Sequence, residues 1–490
     1  MAAKSDFPIA DFQRISSAVI VISVLLAAGC AQLPHLDTPP ALKRVEQLGT
    51  TSLSAPAAAW PGDGWWHTYR DPQLDALIEE ALRDSPDLAI AKARLRGAQA
   101  VVQGAGSTRM PEVTGSALLN EAKQSYNYLI PRQALPQGWN DYGQATLNFS
   151  WELDFWGKNR AALAAALSEQ RAAEAEVAEA RLILSTSVAS MYAGLVHLYT
   201  LHDNAAATLD IRTKTVALFQ QRHDAGLENL ASLRQVEARE AEAHAQLLAI
   251  DERVGLQRNA IAALLGTGPD RGLAITRPTA RFEGSNGLPE NLALELLGRR
   301  PDIVAARARV EAAARRIDQQ KAGFYPSVNL MGFIGLQSMG IDNLTRSGSD
   351  FGSVGPAVSL PIFNTERLKG QLRGARAEYD AAVATYNATL SNALREVADA
   401  ATSRKSLDGE LTATRTAVTA AAEAHQIISQ RYQGALATYL DVLVAEDALV
   451  SSQRAQAELE TRALILDVAL VRALGGGFST QSVVSQSITP

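Results

Sequence analysis

Cysteine occurs once in the 490 residues, at Cys30, so the chain has one thiol and no partner for an internal disulfide. What stands before it fixes the chemistry open to it. Arg14 precedes an apolar run from Ile15 to Ala28, and small residues, Ala27-Ala28-Gly29, lead into the cysteine. A basic flank, a short apolar core and small residues ahead of a cleavage point describe an export signal, too short to span a bilayer as a helix. A lone thiol directly after such a signal is a site for covalent lipid. The reading is a signal over 1–29, then a lipidated linker over 30–61 rich in Pro, Thr, Ser and Ala.

The other reactive residue types form no catalytic or metal-binding set. The histidines are His35, His67, His197, His202, His223, His244 and His425. His197 and His202 stand five apart, off the i,i+4 register that puts two side chains on one helix face. No Gly-x-Ser-x-Gly, P-loop or dinucleotide fingerprint occurs. Single carboxylates such as Glu152 and Glu396 read as solvated or lumen-facing. No enzyme, metal or cofactor is expected. A net charge of −6 and a pI near 5.8 also argue against nucleic acid as partner.

The elements that must position these residues come in two copies. Pro86-Asp87 opens one and Pro301-Asp302 the other, and the same 215-residue spacing links Ala91 to Ala306, Ala93 to Ala308, Arg94 to Arg309, Pro111 to Pro326 and Val113 to Val328. Self-similarity at a fixed offset marks a duplicated structural unit. The repeats are predicted at 62–266 and 288–475, joined by a linker at 267–287 and followed by a tail at 476–490. Each contains a β-hairpin, near 111–155 and near 326–363.

The strongest strand signal runs from Gln144 to Phe155. Ala145, Leu147, Phe149, Trp151, Leu153 and Phe155 alternate with Gln144, Thr146, Asn148, Ser150, Glu152 and Asp154. Period two puts the first set on one face and the second on the other. About 10 tilted residues of this pattern suffice for a transmembrane β-strand. Weaker alternation marks Val113, Gly115, Ala117 and Leu119, with Leu118 off pattern, then Val328, Leu330, Ile334 and Leu336, then Val354, Val358, Leu360 and Ile362. Beyond the leader, no window is expected to offer the apolar length of a membrane helix.

The helices are long. Lys158 to Ala225 and Phe363 to Gln433 contain no proline, and alanine dominates them. Each run meets a short turn, Ala225-Gly226-Leu227 or Gly434-Ala435-Leu436, and a second helix returns to Gly266 or Gly475, where glycine is the expected cap. A 209-residue spacing links Arg222 to Arg431, Leu227 to Leu436 and Glu237 to Glu446. Two hairpins give four strands per chain, and an open sheet edge cannot face lipid. Strands must be pooled among chains, and a trimer gives twelve strands with an open lumen.

These residues resemble a known family. Trp65-Trp66, Asp71-Pro72, Leu74-Asp75, Ser85-Pro86-Asp87-Leu88, Trp151 to Gly157, Arg299-Arg300-Pro301-Asp302-Ile303, Phe324-Tyr325-Pro326-Ser327, Leu360-Pro361-Ile362-Phe363 and Arg431-Tyr432 with Asp441-Val442-Leu443 look like the ordered signatures of TolC-like outer membrane factors, the NodT/OprM lipoprotein branch in particular. The residues before Cys30 resemble a lipobox, with Ala27 where leucine is commoner.

The resemblance implies an α+β membrane protein: a homotrimer with a twelve-stranded outer-membrane β-barrel continued by a periplasmic α-helical barrel. Its implied function is that of an exit duct in a tripartite efflux system. The partners would be outer-membrane lipid, a periplasmic adaptor and an inner-membrane pump of RND, MFS or aromatic-acid exporter type. The other functions considered are a pore-less periplasmic coiled-coil lipoprotein and a type I protein-secretion duct. Ala225, Gly226, Leu227, Gly434, Ala435 and Leu436 match the family's adaptor-contacting tips. Asp441 matches its lumen-facing aspartate, and Tyr432 the tyrosine that ties the closed tip. The usual partners of that tyrosine correspond to Ala437 and Ser232, so a different network is expected, drawing on Asp224, Glu228 or Arg431.

Overall fold

The computed structural model describes residues 33–44, 58–127, 131–279, 289, 292–434 and 436–479. Cys30, Ala435, the leader and the residues beyond 479 lie outside these. The chain divides into two compact units, and neither coincides with a sequence repeat. One comprises Met1–Ala41, Arg96–Ala172 and Arg307–Thr385; the other comprises Leu42–Leu95, Ala173–Ala306 and Tyr386–Pro490.

The duplication is visible in the elements themselves. Helices α1 (Pro72–Asp84) and α2 (Pro86–Ser107) lead to strands β1 (Glu112–Ala122) and β2 (Asn140–Leu153), then helices α3 (Lys158–Asp224) and α4 (Leu230–Leu264). The second round is α5 (Leu292–Arg299), α6 (Pro301–Ala322), β3 (Ser327–Met339), β4 (Asp350–Ser359), α7 (Thr365–Gln433) and α8 (Tyr439–Ala473). Helices α2 and α6 each have 22 residues and begin on proline, whose fixed φ suits the first helical turn. The return helices α4 and α8 each have 35 residues. Gly266 and Gly475 follow them at φ of 76° and 89°, left-handed values that an L side chain resists.

In the first unit, the strands form one antiparallel sheet in the order β1-β2-β3-β4. The two hairpins therefore join through β2 and β3. Register puts Val113 opposite Phe149, Leu147 opposite Ile334, Trp151 opposite Leu330 and Val328 opposite Val358, so one face is apolar across all four strands. The other face carries Ser116 and Thr146, whose hydroxyls meet at 2.8 Å, with the Asn148 amide donating to both. Leu118 sits within β1 on that second face, opposite Gln144. Two ends differ from expectation. Phe155 lies past the end of β2, and Leu360 and Ile362 lie past β4, where Pro361 cannot supply a ladder N–H.

Where β2 ends, Asp154 starts α3: its carboxylate accepts from the Asn159 and Arg160 amides at 3.1 and 2.9 Å. Trp156 stacks on Tyr325 at 4.7 Å and donates its indole N–H to the Pro326 carbonyl. Leu36, from the N-terminal segment, packs beside Phe324, Leu368 and Leu372.

The core of the second unit gathers Trp65, Trp66 and Tyr69 with α1 (Leu74, Leu77, Ile78), α3 (Val188, Tyr192, Leu195), Ile261 and Val468. Asp71 ties it together. It accepts the Gln73 and Leu74 amides as N-cap of α1, the Tyr192 hydroxyl at 2.7 Å and the Thr279 amide at 2.9 Å. Burial pushes its pKa up, but these four donors outweigh burial and hold it below the ordinary carboxylate value.

Two sequence expectations are corrected here. Leu182 to His202 carries no Asp, Glu, Lys or Arg, so α3 does contain a stretch apolar and long enough for a membrane span. Its Leu184, Val188, Ala189, Tyr192 and Leu195 are buried in the core, which explains the composition without lipid. The linker at 267–287 is also partly structured. Pro269–Leu273 forms a short helix, Arg271 makes a bidentate pair with Glu80, and Ile275 joins the core.

Candidate functional site

The residues expected at the tips all belong to the second unit. Helix α3 ends at Asp224, and the chain reverses through Ala225-Gly226-Leu227 with Gly226 at φ 72°. The Leu227 amide donates to the Arg222 carbonyl at 2.8 Å. In the second tip the Leu436 amide donates to the Arg431 carbonyl, also at 2.8 Å. Both copies thus close by the same bond at the positions the 209-residue spacing relates. Asn229 caps α4 and Thr438 caps α8, each through the third residue of its helix. These turns leave Leu227 69% and Leu436 71% exposed, a leucine at the apex of each hairpin.

Asp441 is exposed and forms a capping box with Thr438: its carboxylate accepts the Thr438 amide at 2.8 Å and hydroxyl at 2.7 Å. The hydroxyl and then the amide hold its pKa below the ordinary carboxylate value, so it stays charged at neutral pH. The aspartate therefore has a local task at the start of α8 as well as a charge to present.

Tyr432 lies inside the tip, packed with Tyr439 against Phe219, which is 1% exposed; Leu233 and Val236 complete the cluster. Phe219 meets Tyr439 at 4.6 Å and Tyr432 at 6.4 Å. The Arg222 guanidinium lies 5.7 Å from the centre of the Tyr432 ring and pairs with Glu228 at 3.6 Å. Of the three residues expected to replace the usual partners, Glu228 is in the network through Arg222. Asp224 instead accepts from Gln220, and Arg431 donates to the Leu436 carbonyl. Sequence reading missed Arg222 as a participant, although its spacing to Arg431 singled it out.

A 440 Å³ cleft opens beside this network, lined by Arg222, Glu228, Ser232, Tyr432 and Ala437 among others. The Tyr432 hydroxyl is buried there without a hydrogen-bond partner among the described residues. Burial raises its pKa, and burial followed by the nearby Glu446 pushes Tyr439 up to about 12, so both phenols stay neutral. Deeper along the helices, buried Arg212 pairs with buried Glu446 at 3.0 Å and donates to the Arg239 carbonyl, linking α3, α8 and α4. The carboxylates read as solvated or lumen-facing each carry a partner as well: Glu152 pairs with Lys158 and Glu396 with Arg300. Among the described residues no cluster of His, Cys, Asp and Glu could hold a metal.

Residues 77–267 and 292–476 match the family described as outer membrane efflux protein. The chain is 36% identical over 374 residues to the fusaric acid resistance protein FusA of Burkholderia cepacia, covering 74% of this chain and 69% of that protein. It is 30% identical over 484 residues to the multidrug resistance outer membrane protein MdtP of Escherichia coli (strain K12), across 97% of this chain and 99% of the relative. The crystal structure of the outer membrane protein VceC from Vibrio cholerae shares the fold at a TM-score of 0.80 and 49% identity, over 86% of this chain and 100% of that one. Channels of this kind are homotrimers that work with inner-membrane pumps. Because the match takes in both repeats, with the sheet and the helices that build both tips, the chain belongs to the outer membrane efflux protein family.

Proposed function

We propose that this protein is the exit duct of a tripartite efflux system. Three copies pool their strands into a twelve-stranded outer-membrane barrel. The long helices continue it as a tunnel through the periplasm, and small toxic solutes pass down it without an energy source of the duct's own. The observation that carries this reading is the sheet: an apolar face running from β1 to β4, hydroxyls and amides on the other face of β1 and β2, and β1 and β4 left as edges. Unpaired N–H and C=O groups cannot sit in hydrocarbon, so each edge needs the opposite edge of another copy.

The exposed leucines at the two tips support docking of a periplasmic adaptor there, and Asp441 supports a ring of three carboxylates near the periplasmic opening. The names of two relatives, resistance to fusaric acid and to multiple drugs, support small toxic solutes as cargo; the pump behind the duct is, in this reading, of RND, MFS or aromatic-acid exporter type. Cys30 carries the lipid in this reading. The deciding experiment is the conductance of purified, detergent-extracted protein in planar bilayers. Stable, cation-selective steps are expected; a membrane that stays silent while the protein is folded and trimeric would favour a pore-less structural lipoprotein.

A further inference from the structure

The face of the sheet that carries hydroxyls and amides also holds an apolar stripe. Strict alternation would put polar groups at every second position of β3, yet Met331 and Phe333 occupy that face, and Phe351 joins them from β4. The Phe333 and Phe351 rings lie 5.1 Å apart at 58°, a tilted aromatic pair. Phe351 stands opposite Gly335, but the space over that glycine is taken by Thr146 of β2, and the Phe351 ring meets Phe333 instead. Neither phenyl is used up in covering a residue without a side chain. The neighbours of Phe333 across the ladder are Asn148 and Ser353, and Asn148 belongs to the hydroxyl and amide network with Ser116 and Thr146. Met331, two residues along β3 on the same face, is half exposed.

We propose that Phe333, Phe351 and Met331 form a solute-contact site on the inner wall of the barrel, for planar aromatic solutes that carry a hydrogen-bonding group. This rests on the duct reading above, which turns the face of Phe149, Trp151, Leu330 and Val354 to lipid and this face to the lumen. Threefold rotation moves nothing along its axis, so the three copies of the site lie at one height. Each patch of β3 and β4 sits beside the polar half of the same face, from β1 and β2. A flat ring can lie against the phenyls while its polar group reaches Asn148 or Thr146. A site made only of side-chain rings on an open wall holds its occupant weakly, as a conduction pathway requires.

The test uses the purified trimer in planar bilayers, with 2-naphthalenesulfonate added at rising concentration and methanesulfonate as the charge-matched control. The wild-type current is expected to fall with the aromatic anion and not with the control. Phe333→Ser should weaken that block by about threefold, the scale of one lost aromatic contact. Phe333→Ser with Phe351→Ser should abolish it, and Leu118→Ser, elsewhere on the same face, should retain it. Equal effects of the two anions on the wild type would overturn the site. So would undiminished block in Phe333→Ser, a variant that leaves Phe351 and the hydroxyl and amide network in place. A folded trimer that conducts nothing would instead overturn the duct reading, and this site with it.

Discussion

Asp441 closes the capping box of α8 and, in the proposed duct, would also present its charge to the lumen. One carboxylate oxygen, Oδ2, accepts from both the Thr438 amide and hydroxyl, which fixes its position at the start of α8 and keeps it ionised. Asp441→Asn is expected to lower cation selectivity, read as a smaller reversal potential in a KCl gradient, without loss of trimers; an unchanged potential would show that the residue does not line the constriction. Because its pKa lies below the usual value of about 3.9, selectivity should persist as pH falls through that value and fade only lower. Asp71 gives the matching case for stability. Its folded-state pKa is depressed, so its contribution is present at neutral pH and is lost as pH falls through that depressed value. Asp71→Ala removes a helix cap and the acceptor of the buried Tyr192 hydroxyl, which keeps only the Gln73 side-chain amide as donor to it. It should cost about 1–3 kcal/mol, seen as a lower thermal midpoint of the detergent-solubilised protein at pH 7.

At the scale of elements, the two helical hairpins end in equivalent turns whose apical leucines are exposed. Cysteine at Gly226 would be strained by its left-handed φ of 72°, so Leu227→Cys and Leu436→Cys are the better probes of the adaptor contact. Both are expected to crosslink to the cognate adaptor in cells. Crosslinks obtained only from the loops between strands would reverse the orientation proposed here. The Phe219, Tyr432 and Tyr439 cluster packs the ends of α3, α7 and α8 together, with Arg222 and Glu228 beside it. Any movement that parts these helices must first separate that packing.

For the whole molecule, the proposed lipid on Cys30 would share anchoring with the proposed barrel. A single acyl chain holds a protein to a membrane only marginally, whereas a closed barrel is buried in the bilayer. Cys30→Ser should therefore abolish fatty-acid labelling and leave trimers in the outer-membrane fraction. Labelling that survives the substitution would remove Cys30 as the lipid site.

The sequence by itself determined the local architecture. Fixed offsets exposed the duplication, alternation from Gln144 to Phe155 marked a lipid-suited strand that the structure runs from Asn140 to Leu153, and proline-free, alanine-rich runs with returns ending on Gly266 and Gly475 marked the helices. These are properties of neighbouring residues, set by periodicity, sterics and backbone freedom. Only the tertiary structure decided what depends on residues far apart. It joined the hairpins through β2 and β3, made each compact unit from pieces of both repeats, and showed that the uncharged stretch in α3 is core. It also brought Arg222 onto Tyr432 across 210 residues of chain. No sequence period encodes such meetings, because they are selected by which buried surfaces fit and which polar groups find partners once the helices have packed.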